Sequence, residues 1–136
     1  TFFSNQKVLT AIAMYITIVG LVYNTILRFQ WQPKGLQLIV DELLHSVIPV
    51  LFIVFWFLFV PKAYLKAKDI FPWLLYPLFY IIYILIRGSI NGVYPYPFVD
   101  VVQLGFSKVF LNSGILVMVF VAFSFLYVAL DRFAKK

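Results

Sequence analysis

From residue 41 to residue 60 the chain reads DELLHSVIPVLFIVFWFLFV, an apolar run with two acids and a histidine at its mouth. Beyond His45 the run continues without a charge to Val60, as expected for a helix in the hydrocarbon core of a membrane. Ionisable groups that enter such a span are costly unless partners or a wet cavity compensate. The stretch therefore predicts a transmembrane helix with a candidate functional site at Asp41, Glu42 and His45.

The composition of the whole chain also indicates an integral membrane protein. Of its 136 residues, 64% are hydrophobic and only 12% are charged, against about a quarter charged in an average soluble domain. No cysteine is present, which excludes disulfides, thiol nucleophiles and thiolate metal sites. The net charge of +6 comes from basic residues that flank apolar runs. We therefore predict membrane lipids as partners and no nucleic acid.

Four apolar runs are each long enough to cross the membrane. They cover about residues 8–27, 36–60, 70–86 and 105–130. The connections are short, so the sequence predicts an all-α, polytopic transmembrane helical bundle that forms one domain over residues 1–136. No internal repeat is visible, which argues against an inverted-repeat transporter built within these spans. The chain opens at Thr1 without an initiator methionine, and we expect further spans to precede it.

The basic residues predict the orientation of the spans. One face carries Lys7, Lys62, Lys66, Lys68, Arg132, Lys135 and Lys136, and the other carries Arg28, Lys34, Arg87 and Lys108. Cytoplasmic loops are enriched in lysine and arginine. We therefore expect both termini in the cytoplasm, with a bacterial inner membrane as the location.

Asp41 and His45 are the predicted catalytic pair. They are four residues apart and share one helix face, with the histidine about 6 Å deeper than the acid. An acid one turn above an imidazole can fix its tautomer, which suits a general base or a proton shuttle. Glu42 and His45 also have the spacing of a di-iron motif, but that site needs a second histidine. No metal or cofactor is predicted.

Other polar side chains are expected near the same, non-cytoplasmic end of the spans. The candidates for a polar pocket or a substrate contact are Asn24, Arg28, Glu42, Tyr80, Tyr83, Arg87, Tyr94, Asp100 and Asn112. Two prolines and two glycines make residues 87–100 a structured cap rather than a flexible loop. We expect Arg28 or Arg87 to pair with Asp41, Glu42 or Asp100. The alternatives are a packing seam of small residues on the first span and an interfacial aromatic belt.

The residues also resemble a known family. The pattern is Tyr23-Asn24-x-x-Leu27-Arg28, Trp31-x-Pro33-x-Gly35, Asp41-Glu42-Leu43-Leu44-His45-x-x-x-Pro49, Trp73-x-x-Tyr76-Pro77, Arg87-Gly88 and Gly92-x-Tyr94-Pro95-Tyr96-Pro97-Phe98-x-Asp100-Val101. It is similar to the bacterial family of six-pass integral membrane proteins that is distantly related to the androgen-induced membrane hydrolases of animals. The resemblance covers essentially the whole chain.

This resemblance implies a six-helix fold of which the chain looks like the last four helices. The animal branch hydrolyses fatty-acid esters of hydroxy fatty acids with an intramembrane threonine nucleophile and a histidine. His45 is similar to that histidine, and residues 93–98 echo a Val-Tyr-Pro-Phe segment of the family. The nucleophilic threonine would then lie upstream of Thr1.

Three functions stay open from the sequence. The first is an intramembrane lipid-ester hydrolase in which Asp41 orients His45, His45 activates the threonine, and Arg28 or Arg87 binds a lipid carboxylate. The second is a proton-coupled transporter, with Asp41 and His45 in a proton relay. The third is a non-catalytic membrane protein in which the charged residues form a structural ion-pair network.

Overall fold

The computed structural model describes residues 5–30 and 32–134, and within them the fold is all-α, as predicted. The helices are α1 (Gln6–Thr25), α2 (Leu36–Glu42), α3 (Ile48–Phe59), α4 (Ile70–Asn91) and α5 (Val101–Phe133), and these described residues contain no strand. Trp31 of the family-like pattern, and Lys135 and Lys136 of the basic set, lie outside the described residues.

Each of the four predicted spans is found. The stretches Gln6–Phe29, Leu36–Phe59, Ala67–Asn91 and Val101–Phe133 are long and apolar enough to cross a membrane. Large apolar side chains such as Leu58, Phe106 and Phe110 remain exposed along them. A soluble protein rarely exposes apolar surface on this scale, whereas a bilayer covers it with hydrocarbon. The chain is a membrane-embedded protein.

The predicted end of the third span at residue 86 is wrong, because α4 continues to Asn91. The helix stops where Gly92 adopts a left-handed conformation, with φ of 71°, and donates its N–H to the carbonyl of Gly88 at 2.8 Å. Glycine enters this conformation without the steric cost of a Cβ, so it is the usual residue just past a helix end.

The fourth span was predicted to start at about Gly105, and the helix α5 is interrupted at this residue, where φ is 76° and ψ is 160°. A short helical turn over residues 101–104 precedes the interruption. One carboxylate oxygen of Asp100 accepts hydrogen bonds from the N–H groups of Val102, at 2.9 Å, and Gln103, at 3.1 Å. Asp100 thus caps the short helical turn that precedes Gly105. The long regular part of α5 follows Gly105, in agreement with the predicted start of the span.

The described chain divides into two compact units. The first unit comprises the described parts of Thr1–Lys66 and Leu126–Lys136, and the second comprises Ala67–Phe125. The single domain predicted over residues 1–136 stays a prediction.

In the first unit, buried polar groups are matched across helices. Trp56 is fully buried and donates its indole N–H to the hydroxyl of Thr10 at 2.8 Å. Thr17 and Tyr127 join their hydroxyls at 2.6 Å. The ring of Trp56 also packs edge-on against that of Tyr127, with centroids 4.9 Å apart. These bonds meet the requirement that a polar group inside a membrane find a protein partner.

The segment after α3 is anchored by Lys62 and Asp131. The Lys62 ammonium donates to the carbonyls of Trp56, at 2.5 Å, and Val60, and thereby caps the C-terminus of α3. Burial lowers the pKa of the Lys62 side chain, while the negative charge of Asp131 acts in the opposite direction. Asp131 is itself buried and accepts the backbone N–H of Leu65 at 3.0 Å.

In the second unit, the segment of residues 94–98 contacts α4 and α5. The cap was predicted over residues 87–100, but residues 87–91 belong to α4, so it stays a prediction that a cap covers the site. Tyr96 meets Tyr80 through their hydroxyls at 3.2 Å, and the carbonyl of Phe98 accepts the side-chain amide of Asn112 at 2.8 Å. The ring of Tyr94 lies directly over Gly88. Beneath the segment, Ile84, Val99 and Val109 form a buried apolar cluster. The position of the Tyr94 ring explains why residue 88 of α4 is a glycine, since a Cβ would collide with the ring.

We predict that Gly88→Ala destabilises the protein by about 1–3 kcal/mol, the usual cost of overpacking. A Cβ at residue 88 would come within 2.1 Å of the Tyr94 ring, so the ring must move. The matched control is Gly114→Ala in α5, where a Cβ would meet nothing within 4 Å. The measurement is the free energy of unfolding in detergent. Equal stability of the two variants would contradict the packing of Tyr94 on Gly88.

Candidate functional site

The second span is not a continuous α-helix, and its interruption was not predicted from the sequence. Between α2 and α3, Leu43–Val47 forms a turn of π-helix, closed by a hydrogen bond from the N–H of Ile48 to the carbonyl of Leu43. Pro49 lies just beyond it. A proline ring inside a helix clashes with the carbonyl of the residue four positions earlier, here His45. A widened turn is a known way to relieve such a defect, and it places His45 at the irregularity.

Asn24 on α1 supplies the hydrogen bond that Pro49 cannot. Proline has no N–H, so the carbonyl of His45 has no donor at the position where an α-helix would provide one. The side-chain amide of Asn24 donates to this carbonyl at 3.2 Å and to the carbonyl of Gly20 at 2.8 Å. Gly20 permits the approach, since a Cβ there would come within 3.1 Å of Pro49 and 3.2 Å of the His45 carbonyl.

His45 and Asp41 lie within hydrogen-bond reach, as predicted. The Nδ1 atom of His45 is 3.2 Å from Oδ1 of Asp41 and 3.0 Å from the backbone carbonyl of Asp41. A carbonyl and a carboxylate can only accept hydrogen bonds, so Nδ1 must be the donor. In a neutral imidazole the proton is then on Nδ1, and Nε2 carries a free lone pair.

The environment leaves the other side of the imidazole accessible. The His45 side chain is 30% exposed and that of Asp41 14% exposed. Nε2 makes no hydrogen bond within residues 5–30 and 32–134. The Nδ1 atom of the imidazole is therefore hydrogen-bonded, whereas the Nε2 atom is free to accept a proton.

Tyr23 completes this arrangement, and the sequence analysis did not assign it to the site. Its hydroxyl donates a hydrogen bond to Oδ2 of Asp41, and its ring stacks on the His45 imidazole with centroids 4.4 Å apart. A signal was present in the sequence, because a tyrosine hydroxyl near the end of a span needs a polar partner and Asp41 was a candidate.

Glu42 serves a different group from its neighbour Asp41. It forms a salt bridge with Arg28, which confirms the predicted arginine–carboxylate pair, and it accepts the hydroxyl of Ser46 at 3.0 Å. Arg28 also donates to the side-chain oxygen of Asn24 at 2.7 Å. The first unit thus brings together five of the predicted residues. They are Asn24, Arg28, Asp41, Glu42 and His45.

The remaining candidates belong to the second unit. Tyr80, Tyr94 and Asn112 hold the segment of residues 94–98, as described above. Tyr83 and Arg87 are exposed on α4, and Arg87 makes no salt bridge to a carboxylate in the described part of the chain. That the six second-unit residues share one pocket with His45 stays a prediction.

Asp100, one of the three carboxylates considered for an arginine, has a different partner. The carboxylate of Asp100 accepts hydrogen bonds from the backbone N–H groups of Val102 and Gln103, at the start of α5. The four-residue pattern from Asp100 to Gln103 is a sequence signature of a helix start, and it could have revealed this role.

Comparison with known proteins adds no assignment. No family model, no curated protein and no solved structure matches the chain. The family resemblance seen in the sequence pattern stays a prediction.

We predict that Asn24→Leu and Pro49→Ala are energetically coupled. Asn24→Leu leaves the His45 carbonyl without its donor, which costs about 1 kcal/mol for a hydrogen bond within a membrane. In a Pro49→Ala background, residue 49 regains an N–H that can serve the same carbonyl, so the loss should be smaller. A double-mutant cycle of unfolding free energies in detergent measures the difference.

The control pairs Asn24→Leu with Pro77→Ala in α4. Pro77 also interrupts a helix, but the carbonyl that it deprives is that of Trp73 rather than that of His45. The two effects should add. Additivity in the Asn24 and Pro49 cycle as well would contradict the link between the proline and the asparagine.

Proposed function

We propose that this protein is an intramembrane lipid-ester hydrolase in which His45 is the general base and Asp41 orients it. One observation carries the proposal: Nδ1 of His45 is bonded to Asp41 at 3.2 Å, while Nε2 is left without a partner in the described residues. An acid that orients a base is the arrangement that activates a hydroxyl nucleophile.

In the proposed reaction, Nε2 of His45 removes the proton of a threonine hydroxyl as the threonine oxygen attacks the ester carbonyl carbon. The carbon–oxygen ester bond breaks, and the imidazolium returns its proton to the departing alkoxide. Water, activated by the same Nε2, then cleaves the acyl-threonine and releases the fatty acid. Asp41 keeps the imidazole in place and stabilises its positive charge. The threonine nucleophile itself is what the family resemblance implies.

The arginines support a lipid substrate to different degrees. The charge of Arg28 is already met by Glu42. Arg28 therefore fits the structural network around Asn24 better than the binding of a lipid carboxylate. Arg87 has no carboxylate partner in the described chain, and its contact with a lipid carboxylate is proposed from the sequence alone.

The proposed location is a bacterial inner membrane with both termini in the cytoplasm. The support is the distribution of basic residues, with Lys7, Lys62, Lys66 and Arg132 among those on the predicted cytoplasmic side.

A proton-coupled transporter is the alternative, and the first unit supports it less. A relay needs groups that can pass protons through the depth of the membrane. The polar groups away from His45, such as Thr10 with Trp56 and Thr17 with Tyr127, are already bonded to one another. Along α1, the buried apolar side chain of Met14 lies between Thr10 and Thr17, and that of Ile18 lies between Thr17 and Tyr23.

We expect His45→Ala and Asp41→Asn to lower hydrolysis of a fatty-acyl ester, because each removes part of the general base. The loss should be about a hundredfold to ten-thousandfold for His45→Ala. The measurement uses protein expressed from the complete reading frame in detergent micelles. It combines ester turnover with labelling by a serine- and threonine-directed activity probe.

The matched control is Asp131→Asn, at a residue of the same unit that is not a candidate for the site. Asparagine can still accept the backbone N–H of Leu65, which Asp131 accepts at 3.0 Å, so this variant should keep the activity. Wild-type protein that neither labels nor hydrolyses any acyl ester would refute the proposal. Proton-driven uptake into proteoliposomes that Asp41→Asn abolishes would instead establish the transporter.

A further inference from the structure

Tyr23 contacts both members of the proposed base and orienter pair at once. Its hydroxyl bonds to Oδ2 of Asp41, and its ring lies almost parallel to the imidazole of His45, at an interplanar angle of 14°. Tyr23 is only 4% exposed, so it is enclosed by protein on nearly all sides. A residue this buried acts on chemistry through its neighbours rather than by touching a substrate.

The two contacts restrict two different motions. A carboxylate can rotate about its bond to Cβ, but Asp41 has one oxygen bonded to His45 and the other bonded to Tyr23. With both oxygens engaged, the carboxylate plane is fixed. The stacked ring of Tyr23 separately limits rotation of the imidazole about its own side-chain bonds.

This restriction matters because of where His45 lies. Asp41 is in α2 and His45 is in the π-helical turn, so their relative position depends on a segment with irregular hydrogen bonding. Tyr23 is in α1, a separate and regular helix. The contacts of Tyr23 therefore hold Asp41 and His45 against a helix that does not share the irregular hydrogen bonding of the turn.

We propose that Tyr23 is the positioning residue of this site, with its hydroxyl setting the Asp41 carboxylate and its ring setting the plane of His45. The inference deepens the proposed function, and its kinetic consequence rests on that function. Its structural consequence, which is the tautomer and the orientation of the His45 imidazole, does not rest on that function.

Two variants separate the two contacts. Tyr23→Phe keeps the ring and nearly the whole volume but removes the hydroxyl, whereas Tyr23→Leu removes both. The chain has one histidine, so protein carrying isotope-labelled histidine gives a single imidazole signal in nitrogen NMR. The spectra are recorded at mildly alkaline pH, where a free imidazole is neutral and its tautomer can be assigned.

In the wild type we expect the Nδ1-protonated tautomer and upfield-shifted ring protons, the signature of a stacked aromatic neighbour. Tyr23→Phe should keep the upfield shift but lose part of the tautomer preference. Tyr23→Leu should lose both. In the hydrolysis assay, kcat of Tyr23→Phe should fall by about tenfold to a hundredfold, the size of effect that misplacement can cause, with KM unchanged.

The matched control is Tyr127→Phe. Tyr127 is also a buried tyrosine of the first unit, and its hydroxyl bonds to Thr17 of α1 at 2.6 Å. Its loss should lower stability to a similar degree without changing the His45 signal or kcat. A similar fall of kcat in Tyr23→Phe and in Tyr127→Phe would mean that Tyr23 has a purely structural role, and it would overturn the inference.

An unchanged tautomer and unchanged ring-proton shifts in both Tyr23 variants would also overturn it. Failure of the proposed function looks different. Wild-type protein would then show no hydrolysis, while the His45 signal would still respond to Tyr23→Phe and Tyr23→Leu and not to Tyr127→Phe.

Discussion

The site depends on one backbone carbonyl. In a membrane, a helix can keep a proline only if another group satisfies the carbonyl that the proline leaves without a donor. Here that carbonyl belongs to His45, and the side-chain amide of Asn24 bonds to it. The contact joins α1 to the π-helical turn and also requires Gly20, whose missing Cβ lets the two segments approach. The hydrogen bond from Asn24 to the His45 carbonyl therefore also determines where the His45 side chain lies.

Two adjacent carboxylates then take separate tasks. Asp41 is shared between His45 and Tyr23, whereas Glu42 neutralises Arg28 and accepts the hydroxyl of Ser46. The division leaves the charge of Arg28 balanced by Glu42, so Asp41 can serve the imidazole. Acidic neighbours of this kind look equivalent in a sequence. Their different roles follow from the helix turn, which points successive side chains in different directions.

The sequence predicted the class of fold, the four spans and the contact of Asp41 with His45, because these depend on hydropathy and on helical spacing. The pairing of Arg28 with a carboxylate followed from the cost of an unpaired charge. The end of the third span was missed for a local reason, since α4 continues until Gly92 stops it. Neither the π-helical turn nor the role of Tyr23 was predicted. Both depend on which residues of α1 meet the second span, and helical periodicity alone does not specify that register.

The most direct test of this account is isotope-edited infrared spectroscopy of the His45 carbonyl. Labelled histidine marks one backbone carbonyl in the chain, since the sequence has one histidine. The account predicts a hydrogen-bonded band in the wild type that moves to higher frequency in Asn24→Leu. The band should move back when Pro49→Ala is added to Asn24→Leu. A wild-type band already at the frequency of a free carbonyl, or one that does not respond to Asn24→Leu, would contradict it.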